Sequence, residues 1–534
     1  MKQMFMRIVT NFLLRMSKFH KKDVSLQRKR MKKKQLHFSI VTTCYGLLSL
    51  LFIAINIFTL GNLSPWIDEV MMLDTSYNMA FHGSWETTAW YRVVGQYPFS
   101  TYPPLYQLLA AAWIRLFGGS MLAVRSLNLL VTFVLGGTCL HLMRRYGVRL
   151  TAWTAVLFTL LLWGTSEMAW MYRNGRPDML CALLLVLTLQ SVGSYLSVKS
   201  SASRVAVVLT SALLLCSGIQ AAVCLFALWL FSFIAAKGHR RECLRVLILL
   251  LSGVFLGLLM VALFMAAHGR LLAFASSIVQ YSATLSAISL ALLPWAGDLL
   301  GFDPVPYTQK LLELSTESDI MERLSAVCRY RSFATLSIAA LVIYAITFRG
   351  NLRSLLSDKG FLLLLCALYV PLALVVAGRF PAYYRWMAFL PLMFSVISIA
   401  SRHRLWCAVF SVLAVVLTVA GLKSMQADGK WDYEAMRSFL QRQHFKPSDA
   451  VVCPFSTFYE MKSVCDTCYF AGIFPAEYIG HADYIIEAPD GDEFDRPVTR
   501  YVNSLKTDTT VVLTVIDHCE HPSLTLYQVR KKHE

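Results

Sequence analysis

The sequence predicts a polytopic α-helical membrane protein of about eleven spans, with a small α/β domain outside the membrane at its C-terminal end. Three observations carry that prediction. Of 534 residues, 56% are hydrophobic and 15% charged, and the mean hydropathy is +0.53, a combination soluble chains rarely show. Runs of about 18 or more apolar residues recur, each long enough to cross a bilayer. Basic residues collect in alternate connections between these runs, as the positive-inside rule requires.

The net charge is +18, and its placement says more than its size. Residues 1–37 hold twelve Lys and Arg against one acid, Asp23, which gives +11 before the first apolar run. A run of this kind binds nucleic acid or anchors the chain on the anionic cytoplasmic leaflet. Its position directly before a span favours the anchor. The apolar run comes too late and is too long for a cleavable signal, and no small-residue cleavage site follows it. Met31, followed by Lys32-Lys33-Lys34, is a second plausible start, so residues 1–30 are expected to be dispensable.

The first span is predicted at about 38–60, and a polar, aromatic segment follows it. YPPLYQLLAAAWIRLFG, 102–118, has only about 14 apolar residues after its prolines and carries Arg115. Its length favours an interfacial or re-entrant helix over a span, and topology decides the case. Spans then follow at about 122–142, 151–171, 179–198, 205–219, 220–236, 244–266, 333–348, 360–378, 383–400 and 405–422. With this count the inside connections are MRRYGVR (143–149), KSSASR (199–204), KGHRRECLR (237–245), RGNLRSLLSDK (349–359) and SRHR (401–404), all basic. If 104–118 crossed, all of them would face outside. The 205–236 stretch reads either as a tight hairpin about Ser217-Gly218 or as one long helix that would invert everything after it. The domains expected are a basic cytoplasmic N-terminus (1–37), a transmembrane domain (38–423) with outer loops 61–121 and 267–332, and an outer tail (424–534).

The tail reads as α/β. WDYEAMRSFLQRQ (431–443) has helical apolar spacing, while 449–455, 482–488, 509–515 and 523–529 alternate or run apolar between turn residues, as strands do. Nine of the thirteen cysteines lie in or near the spans and the 267–332 loop, as small buried apolar residues. Cys453, Cys465, Cys468 and Cys519 lie in the tail. For these four, structural disulfides, free thiols and a metal site all stay open, because one CxxC without a second pair at zinc spacing is weak.

Chemistry-bearing residues gather on the predicted outer face. Asp68-Glu69 follows the first span inside PWIDEVMMLD (65–74). Held among apolar and aromatic residues, such an acid has a raised pKa and becomes a usable base. Its plain alternative is a solvated loop start. YRNGRPD (172–178) places Arg173, Arg176 and Asp178 in a short outside turn, against the positive-inside trend, which suits an anionic ligand or an ion pair to the acids. Glu167 is an ionisable residue near the outer end of the preceding span. GRFPAYYRW (378–386) sets Arg379 and Arg385 beside Tyr383, Tyr384 and Trp386, either as a snorkelling aromatic belt or as a phosphate clamp beside an apolar groove.

The order of these pieces resembles the GT-C superfamily of integral-membrane glycosyltransferases, in the branch of protein O-mannosyltransferases and lipid A aminoarabinose transferases (glycosyltransferase family 39-like). The matching text is WIDEVMMLDTSYNMAFHG (66–83), YPPLYQLLAAAWIRLFGGSMLAVRSLNLL (102–130), YRNGRPDMLCALLLVL (172–187) and GRFPAYYRWMAFLPL (378–392). The acidic motif with the Pro-Pro helix at this spacing is the specific part, and the tail carries none of the likeness. Tyr102 stands where the family often has His before Pro-Pro, so no imidazole role carries over.

The resemblance implies transfer of a sugar from a polyprenyl-phosphate donor to a lipid, glycan or protein acceptor on the outer face. It implies Asp68 as the base on the acceptor hydroxyl and Glu69 as its positioning neighbour. The chemistry agrees with it. A lipid phosphate leaves readily once its charge is neutralised, and Arg176 and Arg385 are the best placed to do that. No DxD-type nucleotide-sugar metal site is visible, and assistance by a divalent ion stays open. The rival reading is a transporter or flippase of a lipid-linked glycan built on the same arginines and Glu167. Repeat symmetry between halves would mark it, and the sequence has none.

Overall fold

The structure is a computed structural model that describes residues 24–85, 87, 102–235, 240–271, 274, 330–348, 351–356, 358–376, 384–426, 431–446, 448–465, 467–470, 482–491 and 495–531. The expectations placed on residues 1–23, on most of the 267–332 loop, and on Arg379 and Tyr383 lie outside the described residues.

Helix α1 (Val24–Thr59) is continuous through the first predicted span. Helix α2 (Ile67–Phe81) begins at the acidic motif, and α3 (Leu105–Phe117) is the Pro-Pro helix. Thirteen residues give α3 a length of about 20 Å, short of the roughly 30 Å hydrocarbon core. It lies against α2 instead, where the Arg115 guanidinium donates to the Ala80 carbonyl at 2.9 Å. Helix α4 (Met121–Arg145) starts at an N-cap, Ser120, whose hydroxyl accepts from the Ala123 N–H.

The predicted span 151–171 is corrected. It is two helices, α5 (Ala152–Gly164) and α6 (Ser166–Tyr172), broken at Thr165, whose backbone is extended. The cause is a close crossing. A Cβ on Gly421 of α14 (Arg404–Gln426) would stand 2.1 Å from the Gly164 carbonyl oxygen, so two bare backbones meet where the chain bends.

Helix α7 (Asp178–Val198) follows, then α8 (Ser201–Ser217), α9 (Ala221–Ala235) and α10 (Arg240–Ala267). The 205–236 stretch is therefore two helices, interrupted between Gly218 and Gln220, and not one. Lys199 at the end of α7 meets Glu242 at the start of α10 at 2.8 Å, so those two termini share one end of the bundle. On α10, Gly253 and Gly257 face α8 so closely that a Cβ would lie 2.0 Å from Ser211 Oγ and 2.7 Å from the Ala212 carbonyl oxygen. This small-xxx-small spacing lets helices approach where lipid provides no hydrophobic drive. The opposite stripe of α10, with Ile248, Phe255 and Leu263 each more than 60% exposed, is fit to face lipid chains.

Helices α11 (Arg331–Phe348), α12 (Lys359–Val376) and α13 (Arg385–Ala400) precede α14. Among the described residues, six helices are long and apolar enough to cross a membrane, and shorter apolar helices lie between them. The chain is an integral membrane protein.

The tail holds α15 (Tyr433–Arg442), α16 (Phe455–Met461), α17 (Arg496–Thr507) and a five-stranded sheet. Its strands are β1 (Ala450–Cys453), β2 (Thr467–Phe470), β3 (Tyr484–Glu487), β4 (Val511–Cys519) and β5 (Leu524–Lys531), in the order β2-β1-β3-β5-β4. β1 is parallel to β2 and β3, while β5 is antiparallel to β3 and β4. The sequence reading placed α15, β1, β3, β4 and β5 but missed β2, α16 and α17. All four tail cysteines are buried thiols that form no disulfide.

The tail docks on the acidic helix. Lys462, after α16, donates to the Asp74 carboxylate and to the Asn78 side-chain oxygen on α2, and Asp74 also accepts from Thr87 at 2.8 Å. Glu460 accepts from the Met121 N–H at 2.9 Å, where α4 begins with an unpaired donor, and from the Tyr433 hydroxyl at 2.6 Å.

Candidate functional site

The acidic pair occupies the first turn of α2, where the helix dipole favours carboxylates. The two acids nevertheless meet different surroundings, because neighbours on a helix point about 100° apart.

Glu69 has no solvent exposure. Its two oxygens take a fork of bonds from Arg125 of α4, both at 2.8 Å, and one also accepts from the Gly175 N–H at 2.6 Å. The carboxylate reaches back to the Trp66 N–H at 3.4 Å and so caps its own helix. Arg125 donates further to the carbonyls of Leu60 and Leu63. This is a closed clamp joining α2, α4, the end of α1 and the 173–177 turn. Gly175 packs closely there: a Cβ would stand 2.8 Å from the end of the buried Leu73 side chain, which would have to shift.

Asp68 points out of that clamp, and its side chain keeps 26% exposure. It meets Arg176 at 2.5 Å, and Arg176 also binds Asp178 at 2.8 Å. Burial raises the Asp68 carboxyl above its usual value, and the Arg176 guanidinium opposes the rise. Asp178 is held in turn by the Trp386 indole N–H at 3.1 Å. The Asn128 side-chain amide donates to the Asn174 and Arg176 carbonyls and fixes the turn that carries Arg176.

The two arginines belong to one row of stacked groups. The Arg176 guanidinium lies 4.6 Å from the Trp66 ring, Trp66 lies 5.1 Å from Trp170, and Arg385 sits 5.2 Å from Trp170 and 4.6 Å from Tyr330. Cation–π contact helps to hold both guanidiniums in place, Arg176 together with its two carboxylates and Arg385 over two rings. Tyr384, half-buried, adjoins Arg385 at the start of α13, and Tyr102 lies within electrostatic reach of Arg176.

The structure thus brings together Asp68, Glu69, Arg176 and Asp178, with Arg385 and Tyr384 along the row. Two candidates lie elsewhere. Glu167 is buried at the start of α6 and accepts from the Ser332 N–H at 2.8 Å and the Ser166 hydroxyl at 3.1 Å. Arg173 donates to the Thr59 carbonyl at the end of α1. Sequence reasoning missed Arg125, Trp66, Trp170 and Tyr330 as parts of the site. Arg125 carried a usable signal, since it is an ionisable residue within an apolar span; the aromatics had none that separates them from an interfacial belt. Among the described residues, no group of three or more His, Cys, Asp or Glu side chains is arranged to hold a metal ion.

No protein-family model matches the sequence, and no curated protein matches it. Solved structures do resemble the fold. The apo oligosaccharyltransferase of Archaeoglobus fulgidus aligns over 85% of this chain and 70% of its own at 12% identity, with a TM-score of 0.51. The same enzyme tethered with an acceptor peptide containing the NVT sequon aligns over 85% and 69% at 13% identity, with a TM-score of 0.50. ArnT from Cupriavidus metallidurans bound to undecaprenyl phosphate covers 90% of this chain and 97% of its own at 13% identity, with a TM-score of 0.42. At this identity the likeness to the oligosaccharyltransferase is one of fold.

Proposed function

We propose, on this GT-C frame, that the protein is a membrane glycosyltransferase moving a sugar from a polyprenyl-phosphate donor to a lipid, glycan or protein acceptor. The observation that carries the reading is the contrast within the acidic pair. Glu69 is closed inside the membrane domain, while Asp68 is half-open with a raised pKa and stands one guanidinium away from a row leading to Arg385.

In this reading Asp68 takes the proton from the acceptor hydroxyl as its oxygen attacks the anomeric carbon of the donor. The bond from that carbon to the phosphate oxygen breaks, and the polyprenyl phosphate leaves with its electron pair. A single displacement of this kind inverts the anomeric centre and needs one base. Arg385, held over two aromatic rings, receives the phosphate charge. Arg176 orients Asp68 and keeps it from drifting into the clamp. Glu69 and Arg125 act as positioning residues that set the direction of α2. Asp178 and Arg173 brace the 173–177 turn.

The active face is the one opposite the basic connections, which puts the tail outside the cell or in the periplasm and the N-terminus in the cytoplasm. The transporter alternative requires a mobile intramembrane acid, and Glu167, already occupied by Ser332 and Ser166, is poorly suited to that work.

The deciding experiment compares the envelope glycans, glycolipids and glycoproteins of cells with and without the protein by mass spectrometry, then repeats it with Asp68→Asn. One missing sugar modification, not restored by the variant, is the expected result. A complete set of modifications in the cells without the protein would sink the proposal.

A further inference from the structure

At the ends of α4, α7 and α13 remote from Asp68 lies a cavity of about 750 Å³ that the site does not use. The same helices define its depth. From Arg125 to Tyr146 at the cavity is about 30 Å along the chain at 1.5 Å per residue, close to the thickness of a bilayer's hydrocarbon core. The walls are apolar, including Leu185, Leu189, Leu363, Leu390 and Phe394. The mouth is not. Arg149, Lys359 and Arg402 line it with Asp358, which is the only carboxylate among the lining residues. Asp358 is engaged by Arg402 at 2.6 Å, so three cations less one acid leave two positive charges at the opening. Arg149, Lys359 and Arg402 are all exposed there.

An occupant must satisfy both parts. Water finds few hydrogen-bond partners along apolar walls. An anion without a chain would leave the depth empty, and an uncharged chain would leave the cations unmatched. Basic pockets between transmembrane helices on the cytoplasmic side suit anionic lipid head groups. We propose that this cavity binds an anionic phospholipid, with its phosphate at Arg149 and Lys359 and a chain running inward along Leu189 and Leu363 toward Leu185 and Leu390. It is a second lipid site, separate from the donor site, and needs no glycosyl transfer for its detection.

The test uses the full chain in phosphatidylcholine nanodiscs with spin-labelled phosphatidylglycerol as the probe. The expected result is a saturable immobilised component that unlabelled phosphatidylglycerol displaces and inorganic phosphate at equal concentration does not. Arg149→Glu with Lys359→Glu should weaken it at least tenfold with the thermal transition unchanged. Leu363→Trp, which fills the wall and keeps the charges, should also remove it and serves if the charge-reversed variant fails to fold. Displacement by inorganic phosphate would mean a phosphate site without a lipid. Binding equal in wild type and both variants would mean boundary lipid only. Either overturns the proposal and leaves the reading of Asp68 untouched.

Discussion

Asp68 and Glu69 are adjacent in the chain and opposite in circumstance, and substitutions should separate them. Asp68→Asn removes the proposed base and should lower transfer by about 10²–10⁴-fold, with insertion and thermal stability retained. An in vitro transfer assay beside a melting curve checks both parts. Glu69→Gln should do the reverse in kind. It leaves Arg125 charged and buried without its carboxylate, which costs about 3–5 kcal/mol, so the variant should melt earlier or fail to accumulate. Because burial raises the Asp68 carboxyl and the base must be ionised, the rate should fall as pH drops through that raised value. The acid limb of the pH profile of kcat/KM should therefore stand above the ordinary carboxylate value of about 4. A limb at or below that value would exclude Asp68 as the titrating group. Which of two neighbouring acids faces outward was not legible in PWIDEVMMLD; it depends on Arg125, 56 residues away, claiming one of them.

Elements were read best where hydropathy alone decides and worst where two backbones meet. The long spans and the short Pro-Pro helix follow from length and composition. The break at Thr165 does not, because its cause is Gly421, more than 250 residues further on. The α8–α10 contact is a similar case. Gly257→Val would drive a side chain into the Ala212 carbonyl, a backbone atom that cannot step aside, and should destabilise the membrane domain by about 1–3 kcal/mol. Thermal unfolding in detergent measures this. An unchanged midpoint would mean that the two helices separate more easily than their packing implies. In the tail, β2 and α16 escaped the reading because four-residue strands and single-turn-scale helices carry too little periodicity to register.

At the scale of the whole molecule, the tail and the acidic helix behave as one unit. Lys462 reaches from the tail into α2 and ends on Asp74, a carboxylate with no solvent exposure. Lys462→Met keeps the packing volume but takes away the cation that meets that buried acid, leaving the Thr87 hydrogen bond. The tail should then become more susceptible to limited proteolysis, and transfer should fall several-fold through a shifted Asp68. Unaltered cleavage and activity would show that Glu460 and Tyr433 hold the tail without help. The sequence by itself determined that this chain lives in a membrane, which connections are basic, and where the acids and arginines lie along it. Those are properties of composition and order, which transfer free energies read locally. Only the tertiary structure decided that Glu69 closes a clamp while Asp68 stays open, that two tryptophans link Arg176 to Arg385, and that a basic-mouthed cavity lies beneath. Each of these depends on which distant side chain reaches a given charge first, and the spacing of residues in the chain does not contain that distance.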